Sequence, residues 1–240
     1  MTVLQRIWHR ALVSQAAPSA TVIVGSAVLA FLLVAVPGLW RRSRHLVTVA
    51  HEAAHAIAAL ASGRRLTGIR LHADTSGLTL SRGRPSGPGM VLTAAAGYVG
   101  PALLGLGAAG LLRLGHAVGL LWLVLAVLVL LLVVIRNWFG LWSVLAAAAG
   151  VFAVSWWATA PVQSACAYAG VWFLLLAAPR PVLELQATRR RGGARNSDAD
   201  TLARLTHVPG LLWVGVFLLV TLAALAVGGQ WLLAGRHALG

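Results

Sequence analysis

Residues 49–60 read VAHEAAHAIAAL, a glutamate between two histidines in a run of small apolar residues. Residues four apart on a helix share a face and lie about 6 Å apart along the axis, so His51 and His55 can turn two imidazoles toward one metal ion. Glu52 is rotated from His51 by roughly 100°, which leaves it beside the pair, able to reach a water on the ion without ligating it. Ala50, Ala53, Ala54, Ala58 and Ala59 add little bulk, so another backbone can come close to this helix.

Around this helix charge is scarce. The chain has 240 residues, 59% hydrophobic and 10% charged, with only five acids. An ionised side chain at the middle of a membrane helix is unfavourable by about 2.5 kcal/mol or more, so a glutamate and two histidines there call for a chemical reason. The apolar residues fall in long runs rather than stripes, which predicts an all-α polytopic membrane protein. About seven transmembrane helices are expected, near 20–39, 45–62, 89–112, 117–135, 138–156, 163–179 and 208–234. The first run is too long for a signal-peptide core and residues 35–39 offer no cleavage site, so it reads as an anchor. Residues 1–240 form one integral membrane domain: an N-terminal anchor span and loop over 1–44, a motif-bearing core over 45–215, and the end of the last span over 216–240. Trp40, Trp138, Trp156, Trp157 and Trp231 sit near span ends, as in an interfacial belt. Ile69 and Leu71, then Leu78 and Leu80, alternate around a Thr-Ser-Gly turn and predict a small β-hairpin directly after the metal helix.

The formal net charge is +14, carried by arginine alone. These arginines lie between apolar runs, where they orient the chain and meet anionic headgroups of the lipid bilayer; no nucleic-acid partner is expected. With the N-terminus in the cytoplasm, Arg41, Arg42, Arg44, Arg113 and Arg236 fall outside, leaving fourteen of the 19 inside, Arg6, Arg10 and Arg195 among them. The three arginines of RRSR at 41–44, in an expected short outer loop, are the exception. Localisation in the cell membrane follows, with the N-terminus and the site's opening toward the cytoplasm. Cys166 has no second cysteine and reads as a packed thiol. GLGAAG at 105–110 matches a dinucleotide fingerprint but has no strand before it, so close helix packing is its role. Asn137 reads as a cap or headgroup contact, and RRRGGAR at 189–195 as a flexible basic loop.

A catalytic zinc site takes three protein ligands and keeps one position open. Glu184 falls in an expected basic loop. Asp74 is a turn residue, although His72 and Asp74 both remain possible ligands because the hairpin follows the metal helix closely. Asp198 and Asp200 share the predicted cytoplasmic side with the end of that helix. In a helix starting at Ser197, either acid would also suit the dipole at a first turn.

HEAAH early in a multi-span chain, a small hairpin after it and an aspartate before a late span resemble the site-2 protease family of intramembrane zinc metallopeptidases. HADTSGLTLSRGR, AAGYVGPALLG, IRNWFG and NSDAD are similar to motifs of its shorter B-like branch, from about residue 45 to 215. The resemblance implies zinc held by His51, His55 and Asp198, Glu52 as catalytic base, and a membrane-protein substrate cut in or near a transmembrane segment. Ser-Asp-Ala stands here where the larger family reads Leu-Asp-Gly.

Helix geometry bears on the choice between the acids. Two positions apart means about 200° of rotation, so both carboxylates cannot face one ion. Asp200 has Ser197 at capping-box spacing and Arg204 four residues on, and reads as the structural one; Asp198 lacks such partners and faces a more apolar side. A catalytically silent binding protein of the same fold and a metal transporter are the other classes. Glu52 has a role only where a water is deprotonated, which favours the peptidase.

Overall fold

A computed structural model describes residues 2, 5, 8, 11–193 and 197–234. Arg6, Arg10, Arg195, Asn196 and Arg236 lie outside the described residues. The apolar runs form helices with apolar side chains on every side, as lipid rather than water requires. Helix α1 spans Ala20–Ala35 and α2 Pro37–Ala61; the hairpin strands are β1, Arg65–Leu71, and β2, Gly77–Arg82. Then follow α3 (Pro88–Arg113), α4 (Ala117–Val134), α5 (Trp138–Trp157), α6 (Ala160–Ala177), α7 (Pro179–Arg190), α8 (Asp198–Thr206) and α9 (Gly210–Ala234).

Five helical segments are long and apolar enough to cross a membrane: α3, α4, α5, α6 together with α7, and α9. The bent pair α1–α2 makes a sixth where it counts as one span. The chain is thus an integral membrane protein with five to six such segments among the described residues, against the seven expected. The bend explains part of the difference. A residue before proline is pushed out of the helical region, and Val36, before Pro37, is extended (φ −78°, ψ 119°). The two helices meet there at 100°, where the apolar run 20–39 had suggested one straight span.

The same break relocates the polar residues around it. Arg41, Arg42 and Arg44, expected in a loop, lie in the first turns of α2. Glu184, also expected in a loop, lies in α7, where it pairs with Arg44 at 3.4 Å and Arg180 at 3.2 Å. Trp40 is buried rather than interfacial: its indole N–H donates to Glu184 at 2.8 Å, and the Arg44 and Arg180 guanidiniums lie against its ring. Trp138, Trp156 and Trp157 are exposed, as a belt would have them. Cys166 is exposed on α6 instead of packed, because it shares the outward face of the helix with Val162 and Gly170, while Ser164, Ala167 and Tyr168 face the bundle. Arg189 and Arg190 end α7 in place of the expected basic loop. Gly105 of GLGAAG packs on Leu174 and Leu175 within the bundle.

The hairpin is antiparallel, with Ile69 opposite Thr79 and Leu71 opposite Gly77. At its tip Asp74 accepts from the Ser76 amide at 2.9 Å and hydroxyl at 2.7 Å, which holds its carboxyl below the usual range. The Thr48 hydroxyl donates to the Thr75 carbonyl at 2.9 Å and ties the tip to α2. The outer edge of β1 is closed by the α4–α5 turn. The Arg136 amide donates to the Ile69 carbonyl at 2.9 Å. Asn137 bonds both backbone groups of Leu71, donating at 2.6 Å and accepting at 3.1 Å. Asn137 does stand at the N-cap of α5, but its side chain makes no cap bond there and serves as a one-residue strand. No strand among the described residues pairs with the outer edge of β2.

Candidate metal centre

His51 and His55 lie in the middle of α2. A carbonyl oxygen only accepts, so the 2.7 Å contact between His55 Nδ1 and the Thr93 carbonyl puts the ring proton on Nδ1 and leaves a lone pair on Nε2. Such a bond to the far ring nitrogen is how ligating histidines are oriented. The Tyr98 ring meets His51 edge to face at 4.9 Å and stacks on Phe217 of α9 at 5.1 Å, which braces the first imidazole from the other side.

Asp198 is the first residue of α8, capped by Ser197. Its Oδ2 lies 3.3 Å from His51 Nε2 and 3.2 Å from His55 Nε2, and the two nitrogens are 3.1 Å apart. Three donor atoms at these separations match the ~3.3 Å edge of a tetrahedron built on bonds of about 2.0 Å to zinc. Lone pairs brought this close repel one another unless a cation stands among them. His51, His55 and Asp198 are the group among the described residues able to hold a metal ion.

The two imidazoles have room because a glycine faces them. A Cβ on Gly97 of α3 would collide with His55 Nε2 and come within 2.6 Å of His51 Cε1 and Nε2. One turn on, Gly100 lies against Ala54, so α2 and α3 meet without side chains between them. The alanines act as the sequence suggested, with Ala53, Ala54, Ala58 and Ala59 all buried.

Glu52 is buried and lies against β2. The Thr79 hydroxyl lies 2.6 Å from Glu52 Oε2, to which it donates, and 3.1 Å from the Glu52 carbonyl. Gly77 passes so close to the carboxylate that a Cβ would overlap it. Thr79 and Gly77 were not singled out from the sequence. The available signal was the hairpin's alternation, which puts Gly77 and Thr79 on the face opposite Leu78 and Leu80.

The other acids go elsewhere. His72 and Asp74 stay in the hairpin tip with Ser76, and Glu184 belongs to the Trp40 cluster. Asp200 closes the capping box with Ser197. Its ion-pair partner is Arg189 rather than the expected Arg204, which turns to the Thr201 hydroxyl at 3.1 Å. Burial works to raise the Asp200 carboxyl, and the bonds from Arg189 and Ser197 outweigh it and hold the group below its usual range.

A spanning-helix bundle that gathers two histidines and an aspartate beside a buried glutamate is the framework of a membrane metallopeptidase. The family model for Peptidase M50B-like proteins matches residues 24–228, and the chain belongs to that family, the B-like branch of the site-2 proteases. No curated protein and no solved structure matches it.

Proposed function

We propose that this chain is a zinc endopeptidase that cuts peptide bonds in, or at the edge of, a transmembrane segment of another membrane protein, as in regulated intramembrane proteolysis. The observation that carries the reading is the meeting of His51 and His55 of α2 with Asp198 of α8 within 3.3 Å of one another, in a bundle of apolar helices with the buried Glu52 next in sequence to His51. His51, His55 and Asp198 would hold the ion. Zinc bound there supplies a Lewis acid that polarises a carbonyl and makes water a nucleophile near neutral pH.

Glu52 takes the proton of the attacking water and later gives it to the leaving amine. Thr79 and Gly77 keep that carboxylate aligned from the hairpin side. A helical substrate hides its carbonyls, so it must extend before attack, and the unpaired outer edge of β2 offers it a strand to pair with. Replacing Leu78 or Leu80, which face Arg70 and Gly68 across the hairpin, with proline is expected to lower cleavage several-fold by removing an N–H that bonds β1 and so distorting β2 and its outer edge; cleavage at the unmodified rate in both variants rules out the strand-addition role.

Metal analysis of the detergent-purified chain tests the centre itself. The expected result is about one zinc per chain, lost in His51→Ala, His55→Ala and Asp198→Ala, because each removes a coordination bond. Asp200→Ala is expected to keep the zinc stoichiometry while weakening the start of α8 by about 1 kcal/mol. Metal that follows Asp200 and ignores Asp198 would reverse the ligand assignment.

The arginine distribution supports a cell-membrane protein with its site toward the cytoplasm, and with its N-terminus on the same side where the bent pair α1–α2 re-enters the membrane instead of crossing it. A reporter fused after Arg191 is then cytoplasmic and one at Thr159 external. The opposite pattern would put the site near the outer face and change the class of substrate.

A further inference from the structure

Asp198 is far from His51 and His55 along the chain, so its distance from them is set entirely by how α8 is held. With nine residues, α8 is too short to be stable alone. Ala199 and Leu202 are fully buried, in a cluster with Val182 and Leu185 of α7 and Val214 and Phe217 of α9. These contacts fix where the helix lies, but apolar burial is non-directional and sets rotation about the axis only loosely. Rotation is what the site depends on. A turn of about 20° moves an atom some 5 Å from the axis by roughly 2 Å, enough to take a carboxylate oxygen out of bonding range.

The directional contacts at the start of α8 are polar. Ser197 and Asp200 close their capping box on the side of the helix away from Asp198. Arg189, near the end of α7, pairs with the Asp200 carboxylate and donates to the Ser197 hydroxyl at 3.3 Å. One guanidinium nitrogen, Nη1, thus holds the N-cap and the third residue together, and two bonds from one point on α7 to two residues of α8 resist a turn of that helix. Its seat is prepared by Gly210, the first residue of α9. A Cβ at Gly210 would come within 2.6 Å of Arg189 Nη2 and 3.3 Å of the Ala199 carbonyl. The guanidinium therefore fits between the starts of α8 and α9 because position 210 carries no side chain.

We propose that Arg189 is a positioning residue of the metal centre: seated by Gly210, it holds Ser197 and Asp200 and so turns Asp198 Oδ2 onto His51 and His55. The inference rests on the reading of those three residues as the ligands of one ion. Arg189 acts through α8 and through no contact with the ion.

The test uses the full detergent-purified chain and two readouts: zinc affinity by competition with a chromophoric chelator, and the visible spectrum of the cobalt(II)-substituted form, which reports ligand geometry. Arg189→Gln is expected to lower zinc affinity about ten-fold, as loss of outer contacts to a metal site does, and to alter the cobalt spectrum. Gly210→Ala, which keeps the arginine but displaces it, shifts both readouts the same way. In an Asp198→Ala background, which no longer retains zinc through purification but whose weaker two-histidine binding is read by titration with added zinc, Arg189→Gln leaves that binding unchanged, because no carboxylate remains to be oriented. A role in folding alone would lower affinity equally in both backgrounds, and that result overturns the proposal. So does wild-type affinity with a wild-type cobalt spectrum in Arg189→Gln. If the unmodified chain itself binds no zinc, the ligand reading fails and this inference with it; if it binds zinc and both Arg189→Gln and Gly210→Ala are indifferent, only the clamp is lost.

Discussion

Glu52→Gln is expected to keep about one zinc per chain and to lose cleavage by at least about a hundredfold. The substitution preserves volume and leaves an oxygen for the Thr79 hydroxyl, so the contact of α2 with the hairpin survives. It also leaves the space opposite Gly77 unchanged. What it removes is the ability to accept a proton, since an amide oxygen is a far weaker base than a carboxylate. Metal content and turnover therefore separate in this variant, whereas in His51→Ala or His55→Ala they fall together. The measurement is zinc per chain alongside cleavage of a tagged single-span substrate in detergent. Zinc lost with activity retained would remove Glu52 from the role of base.

The parts of this site that the sequence makes legible are those whose geometry is local. The i, i+4 spacing places His51 and His55 on one face, and the alternation around Thr-Ser-Gly gives the hairpin. Rotation by about 200° assigns Asp198 and Asp200 to different sides of α8, and Ser197 supplies the capping box. The contacts that escaped it join residues far apart in the chain and have no period to betray them. Asn137 completes the edge of β1 across 66 positions, and Thr79 reaches Glu52 across 27. Arg189 looked like one member of a basic run, and only the approach of α7 to α8 distinguishes it from Arg190 and Arg191. The bend at Val36 is a different case. Its signal is local, Pro37 inside the apolar run, but the span 20–39 rests on the length of that run alone.

Gly97→Ala is expected to lower zinc affinity by at least ten-fold while leaving the metal-free fold largely intact. A methyl at this position meets both imidazoles at once, 2.6 Å from His51 and closer still to His55 Nε2. Neither ring can turn away freely. His55 is tied to the Thr93 carbonyl at 2.7 Å, and His51 is backed by Tyr98. A retreat of α3 as a whole would open the close contact that Gly100 makes with Ala54 one turn further on. Relief must therefore come from tilting the imidazoles off the point they share with Asp198. For the fold, overpacking costs about 1–3 kcal/mol, offset in part by the 0.5–1 kcal/mol or so that alanine gains over glycine within a helix. For the metal there is no such offset. Gly107→Ala provides the control, since it lies on the same helix with nothing within 4 Å of its Cβ, and zinc binding should be unchanged there. Equal zinc affinity in Gly97→Ala, Gly107→Ala and the unmodified chain would show that the ion, if bound, does not sit between these histidines and α3.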